Sequence, residues 1–166
     1  MKLKRIWIFG GIASGKTTLA KEISKILKID YYTTDDIAYK DNKGIKFNEK
    51  ERDAKLKKIA KRNEWVIEGT HKRKWILPAF KKTDLVILLQ FPRIILIKRI
   101  ILRYIKRKRK NKEIKKFWKM IKFSIFDYKT DLMIWKRLAK KFKKEFIILK
   151  NNKETKEFLK KLNKAQ

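Results

Sequence analysis

The sequence predicts an α/β fold, a parallel sheet built of βαβ units in one domain. Three observations carry this expectation. Continuous apolar runs alternate along the chain with segments of helical periodicity. A glycine-rich loop separates the first apolar run from the first helical segment. No internal repeat and no Pro/Gly/Ser linker divides the 166 residues, a length that suits one core.

Ile6-Trp7-Ile8-Phe9 is an apolar run ended by Gly10-Gly11 and reads as a buried strand. Leu19, Ala20, Ile23, Ile26 and Leu27 then recur at helical spacing. A short second strand is expected around Asp30-Tyr31-Tyr32, followed by a polar loop at Asp41-Asn42-Lys43-Gly44 and a helix over 49–62. Trp65 to Gly69 reads as the third strand, and Lys74 to Phe80 as a short helix interrupted at Pro78. Asp84 to Gln90 is the clearest strand. Pro92 suits the first turn of the next helix, where its missing N–H costs nothing, and that helix runs to about Lys108. From Asn111 to about Phe142 a helical stripe recurs through Ile114, Phe117, Trp118, Ile121, Ile125, Tyr128, Leu132, Trp135 and Leu138. Phe123 and Phe126 fall off it on either side of Ser124, so the segment is expected to bend or divide there. The stripe reads as core-facing, with solvated lysines opposite, in preference to a membrane-surface helix. Glu145 to Leu149 reads as a fifth strand and Lys153 to Leu162 as a closing helix.

Composition narrows the classes. With 43% apolar residues the chain can bury a real core. It has no cysteine, which excludes disulfides and thiolate metal sites. No stretch of about 18 uncharged apolar residues occurs, so no membrane span is expected, and the chain reads as soluble and cytoplasmic. Forty-nine Lys and Arg against 17 Asp and Glu give a net charge of +32. Such a field attracts polyanions, although lysines on solvated helix faces need no partner.

Gly10-Gly11-Ile12-Ala13-Ser14-Gly15-Lys16-Thr17 matches G-x-x-x-x-G-K-[ST] in full, with Thr18 following. Backbone N–H groups must point at phosphate oxygens there, and Gly10 and Gly15 permit the close approach. The helix that begins at the loop turns its positive dipole end to the anion. Lys16 reaches the β- and γ-phosphates, and the Thr17 hydroxyl ligates Mg²⁺. At average residue usage a chance match arises in fewer than ~1% of chains this long. The loop is therefore read as binding ATP with Mg²⁺.

Binding is not yet a reaction. A GTPase would need D-x-x-G after a strand and N-K-x-D. Asp41 to Gly44 follows no strand, and Asn152-Lys153-Glu154-Thr155 lacks the aspartate. The chain resembles the small kinases of the adenylate kinase, or nucleoside monophosphate kinase, type, and most closely the FlaR-like DNA topology modulation proteins. Besides the glycine loop, the resemblance rests on Tyr31 to Ile37, Trp65 to Thr70 and Asp84 to Arg93. It implies a three-layer P-loop sandwich with a five-stranded parallel sheet in order 2-3-1-4-5, helices on both faces, and a small helical lid within 104–130.

The resemblance also implies roles. Asp35 and Asp36 follow the second strand, where an acidic residue orients Mg²⁺ or the acceptor hydroxyl, and Asp35 is favoured. Thr34 or Asp35 also suits a helix N-cap. Glu68 and Gly69 end the third strand at the same edge, and Gly69 would let a substrate approach the backbone. Arg99 and Arg103 lie one turn apart, the first expected on adenine and the second on phosphate. Lys106 to Lys110 would begin the lid. Gln90 stands where many relatives carry an aspartate, which leaves magnesium to Thr17 and Asp35. The lone histidine, His71, reads as incidental.

The function expected is transfer of the ATP γ-phosphoryl to a small acceptor, with Lys16, Asp35 and Arg103 catalytic. A nucleotide, a nucleoside and another small hydroxyl compound all satisfy this reading. The rival is a nucleotide-dependent nucleic-acid-binding protein with weak or no kinase activity. It rests on the charge and on Lys98 to Lys122, which holds 13 basic residues and one acidic.

Overall fold

The computed structural model describes residues 4–40, 44–71, 73–106, 114–126 and 128–165. Five strands form one parallel sheet in the order β2-β3-β1-β4-β5. They are β1 (Arg5–Gly10), β2 (Tyr31–Thr33), β3 (Trp65–Glu68), β4 (Leu85–Leu89) and β5 (Glu145–Leu149). The three central strands are buried from Ile6 onward, which is why they read as continuous apolar runs. At the start of β1, Arg5 donates to Asp84 through its backbone N–H and its guanidinium, each at 2.9 Å. Asp84 N–H donates back to Arg5 C=O at 2.8 Å. This clamp sets the register that brings Gly10 opposite Leu89 at the other edge.

Alternation along β1 sends Trp7 and Phe9 to one face and Ile6 and Ile8 to the other. On the first face lie α4 (Leu77–Phe80) and α7 (Tyr128–Lys141). Phe9 stacks on Trp135 with ring centroids 3.6 Å apart, and Trp7 meets Phe80 at 5.8 Å. On the second face α1 (Lys16–Leu27) buries Leu19, Ala20 and Ile23 over β3, β1 and β2. α8 (Asn152–Lys164) packs beside α1 and against β5. The remaining helices are α2 (Thr34–Ala38), α3 (Glu49–Ala60), α5 (Arg93–Lys106) and α6 (Ile114–Phe126). α3 opens with a capping box between Asn48 and Glu51.

Several sequence expectations need correction. The second strand starts at Tyr31 and reaches Thr33. Pro78 does not interrupt a helix. It sits in the first turn of α4, after a 3-10 turn over Lys74–Ile76, where proline fits. Ser124 lies inside α6, so the stripe does not divide at it, and residue 127, between α6 and α7, lies outside the described residues. Its second half faces the main core, and in its first half Ile121 is the one buried residue of the stripe. Tyr128, Leu132 and Trp135 are buried, whereas Ile114, Trp118 and Ile125 are exposed. The physical reason is that α6 packs on α5, with Tyr104 and Phe117 at 4.5 Å between centroids, and so covers only one narrow side of itself. The basic run Arg107–Lys110 and residues Asp41–Lys43 lie outside the described residues.

Burial therefore assigns different weights to two tryptophans that the stripe treats alike. Trp135→Ala should lower stability by about 3–5 kcal/mol, as loss of a buried aromatic does. Trp118→Ala should change it by about 0.5 kcal/mol or less. Urea unfolding of both variants checks this placement.

Candidate active site

The carboxyl ends of β1, β3 and β4 open into one cavity of about 610 Å³. Its floor is the loop from Ile12 to Thr18, and its walls come from β3, α5 and α8. Gly15 is the N-cap of α1 at φ +95°, a conformation that favours glycine. A Cβ built on it would meet nothing within 4 Å, so that side of the loop is open. α1 has neither a side-chain cap nor an acidic residue in its first turn, which leaves its N-terminal N–H groups for an anion. Ser14 Oγ is buried and has no hydrogen-bond partner. These features fit the phosphates of a nucleotide.

The loop is braced from outside. A Cβ on Gly11 would lie 2.7 Å from the Tyr128 ring and 2.8 Å from Leu96. Tyr128 donates its hydroxyl hydrogen to Phe91 C=O at 3.0 Å, and burial pushes its phenol pKa up to about 12. Arg99 donates to the C=O groups of Ala13 and Ser14 at 3.3 and 3.2 Å and to Asn152 Oδ1 at 2.8 Å. Its guanidinium also lies 4.5 Å from the Phe91 ring centroid. Arg99 thus lines the cavity while it anchors the loop.

Lys16 Nζ donates to Gly11 C=O at 2.9 Å. Loss of hydration pushes its ammonium pKa below the ordinary lysine value; Glu68 and Asp35 oppose that shift, and nearby Arg103 adds to it. Arg103 lines the same cavity. The cation pair predicted on α5 is therefore brought to the phosphate loop.

Glu68, expected beside the acceptor, lines the cavity and also bonds to the glycine loop. Its Oε1 accepts a hydrogen bond from Thr17 Oγ1 at 2.8 Å. Glu68 is buried, and that burial raises its pKa, against the pull of Lys16 and the Thr17 hydrogen bond. The carboxylate next to the Thr17 hydroxyl thus comes from β3. The neutral Gln90, just past β4, does not leave that side without an acidic group. A hydroxyl and a carboxylate are hard oxygen donors that fit Mg²⁺.

Asp35 lines the cavity, and its Oδ1 lies 3.2 Å from His71 Nε2. His71, read as incidental, is thus a neighbour of the predicted catalytic carboxylate. Asp36 is not in the cavity. It lines a separate cleft with Tyr31, Tyr32 and Lys55. Its N–H donates to Thr33 Oγ1, so Thr33 is the cap of α2, ahead of the expected Thr34 or Asp35. Gly69 borders the cavity, but the group that requires glycine there is protein. At φ +139° its Cβ would fall 1.7 Å from Thr34 Oγ1. Asn152 and Thr155 of α8, the ends of the tetrapeptide that lacks the aspartate of a base-reading motif, also line the cavity.

No protein-family model matches the chain, and no curated protein matches it in sequence. Solved structures do. A shikimate kinase from Acinetobacter baumannii in complex with shikimate superposes with a TM-score of 0.60 at 17% identity, over 99% of this chain and 93% of that one. A shikimate kinase from Bacteroides thetaiotaomicron gives 0.55 at 14% identity over 98% of each chain. A gluconokinase from Sinorhizobium meliloti 1021 gives 0.54 at 14% identity, over 98% and 94%. Identities this low establish a shared fold. The chain has the P-loop α/β fold seen in small kinases.

Glu68 generates a pH prediction. A carboxyl whose folded pKa is raised binds its proton more tightly in the native protein than in the unfolded chain. Its contribution to stability is therefore present below the unfolded pKa and is lost as pH rises through the folded value. Glu68→Gln should raise the melting temperature near pH 8, and the gain should shrink to nothing toward about pH 4, where both side chains are neutral. Calorimetric melting across that range would refute the reading if the wild type were the more stable at high pH. Gly69→Ala should destabilise strongly, and Thr34→Ala in the same chain should recover part of the loss, which a double-mutant cycle reads directly.

Proposed function

We propose that this chain is an ATP- and magnesium-dependent kinase that transfers a phosphoryl group to a hydroxyl of a small acceptor. The observation that carries the reading is the convergence of Lys16, the Thr17–Glu68 pair and Asp35 in one cavity. Phosphoryl transfer asks a protein for positioning and positive charge more than for covalent chemistry. Lys16 and Arg103 supply cationic charge at the loop, where it is worth most in a site shielded from water. Thr17 and Glu68 would hold Mg²⁺, which neutralises charge on the phosphates when bound. Asp35 is placed to accept the acceptor's hydroxyl proton, and His71 orients that carboxylate.

The acceptor end is lined by Thr34, Asp35, Glu68 and Thr70. Two carboxylates there disfavour an anionic phosphate as the attacking group and favour an alcohol. The fold neighbours are named for shikimate and gluconate, both hydroxy acids. Of the three acceptors the sequence leaves open, this favours a small hydroxyl compound, within the nucleoside monophosphate kinase type. The closeness to FlaR-like proteins belongs to the same proposal and rests on the strand-end segments.

ATP turnover with Mg²⁺ should be measured across hydroxy acids, sugar acids, nucleosides and nucleoside monophosphates, with single-stranded RNA and DNA in parallel. One hydroxyl acceptor should accelerate turnover and yield a phosphorylated product. Lys16→Ala should lower kcat/KM about 100-fold or more, and Asp35→Asn should lower kcat with little change in nucleotide affinity. Acceleration by nucleic acid alone, with free phosphate as product, would overturn the kinase in favour of the nucleic-acid-binding reading that the +32 charge motivates.

A further inference from the structure

Large apolar side chains are exposed at eleven described positions, and nine of these lie on α5 and α6. The clustering is not scatter of the kind every surface shows. On α5, Leu96 and Ile100 face inward and are buried. Ile94, Ile101 and Ile105 fall within an arc of about 40° on the opposite side. Ile94 is 75% and Ile105 64% exposed. On α6, Ile114, Trp118 and Ile125 form a second arc of about 40°. Trp118 is 62% exposed, and Phe126, at the helix end, 68%.

The two arcs share one side of the molecule. Tyr104 contacts Phe117, and Ile100 and Arg103 line a small cavity with Met120, so the helices pair antiparallel. Each arc lies roughly 100° from that contact in the same rotational sense, which in an antiparallel pair turns both to the same side. Lys98 lies about 20° beyond the edge of the first arc, and Lys115 and Lys122 flank the second. Neither helix contains an acidic residue.

We propose that this face docks on an anionic phospholipid bilayer, with the isoleucines and Trp118 in the headgroup–acyl boundary and the lysines on the phosphates. The combination of an apolar stripe, an aromatic at the boundary and cationic rims suits that surface. Lysine stems can lie along the apolar face while their ammonium groups reach outward. A second copy would bring another +32 chain against a face whose described residues on α5 and α6 include no carboxylate to meet its lysines. A nucleic acid would match the lysines but leave the isoleucine stripe in water. Arg99 and Arg103 project from the cavity side of α5, so docking leaves the active-site cavity clear. The proposal does not depend on the kinase reading.

Flotation of the full chain with phosphatidylcholine vesicles, with and without about 30% phosphatidylglycerol, tests it. The account expects binding to the anionic vesicles and little to the neutral ones. Ile101→Gln, Ile105→Gln and Trp118→Gln together should weaken that binding about tenfold or more with the melting temperature retained. Trp118 is the one strongly exposed tryptophan, since Trp7, Trp65, Trp75 and Trp135 are buried. Brominated lipid should therefore quench the wild-type emission, and Trp118→Phe should abolish the quenching, a readout that survives if the triple variant misfolds. No binding, binding unchanged by the apolar substitutions, or no bromine quenching would overturn the proposal. So would a dimer in sedimentation equilibrium that the triple variant dissociates, or RNA binding that the same substitutions remove while vesicle binding persists.

Discussion

The ammonium of Lys16 loses hydration where it sits, and two carboxylates, Glu68 and Asp35, counter that loss. A lysine left alone there would shed its proton more readily and leave the loop without its charge. The two carboxylates arrive by different strands, Glu68 at the end of β3 and Asp35 in the first turn of α2, which follows β2. The site therefore depends on three strands ending at one edge in fixed register. Ile8 lies opposite Glu68, and Gly69 N–H donates to Ile8 C=O at 3.1 Å. The clamp between Arg5 and Asp84 holds the opposite edge, and the aromatic layer of Trp7, Phe9, Phe80 and Trp135 holds the sheet face.

This dependence explains why the loop is braced so heavily. A main-chain cradle works only if its N–H groups stay aimed, and Tyr128, Leu96 and Arg99 each press on or bond to it. Arg99 does so through loop carbonyls, so a cation that lines the cavity also serves as scaffold. Glu68 carries a tension of another kind. Its burial works against its charge, and that charge opposes the loss of the Lys16 proton. Functional sites commonly accept such local instability.

Much of this was legible in the sequence, and the exceptions have a common cause. Buried parallel strands are apolar on both faces, so β1, β3 and β4 stand out as continuous runs. The Gly10–Thr17 loop declares itself because backbone approach restricts residue type at several fixed spacings. Glu68 was visible at a strand end, but its partner Thr17 is 51 positions away in the chain and is set only by sheet register. His71 lies in a loop with no periodicity to interpret. Periodicity likewise marked Trp118 and Trp135 as equivalent, because a helical stripe records that a face is apolar and not what covers it.

The most direct test of the account is the titration of Lys16 itself, followed by NMR of a selectively labelled side chain in the wild type and in Glu68→Gln. The account predicts a pKa below the ordinary lysine value that falls further when the Glu68 charge is removed. An ordinary value, unmoved by that substitution, would contradict it and would detach Glu68 from the phosphate-binding machinery.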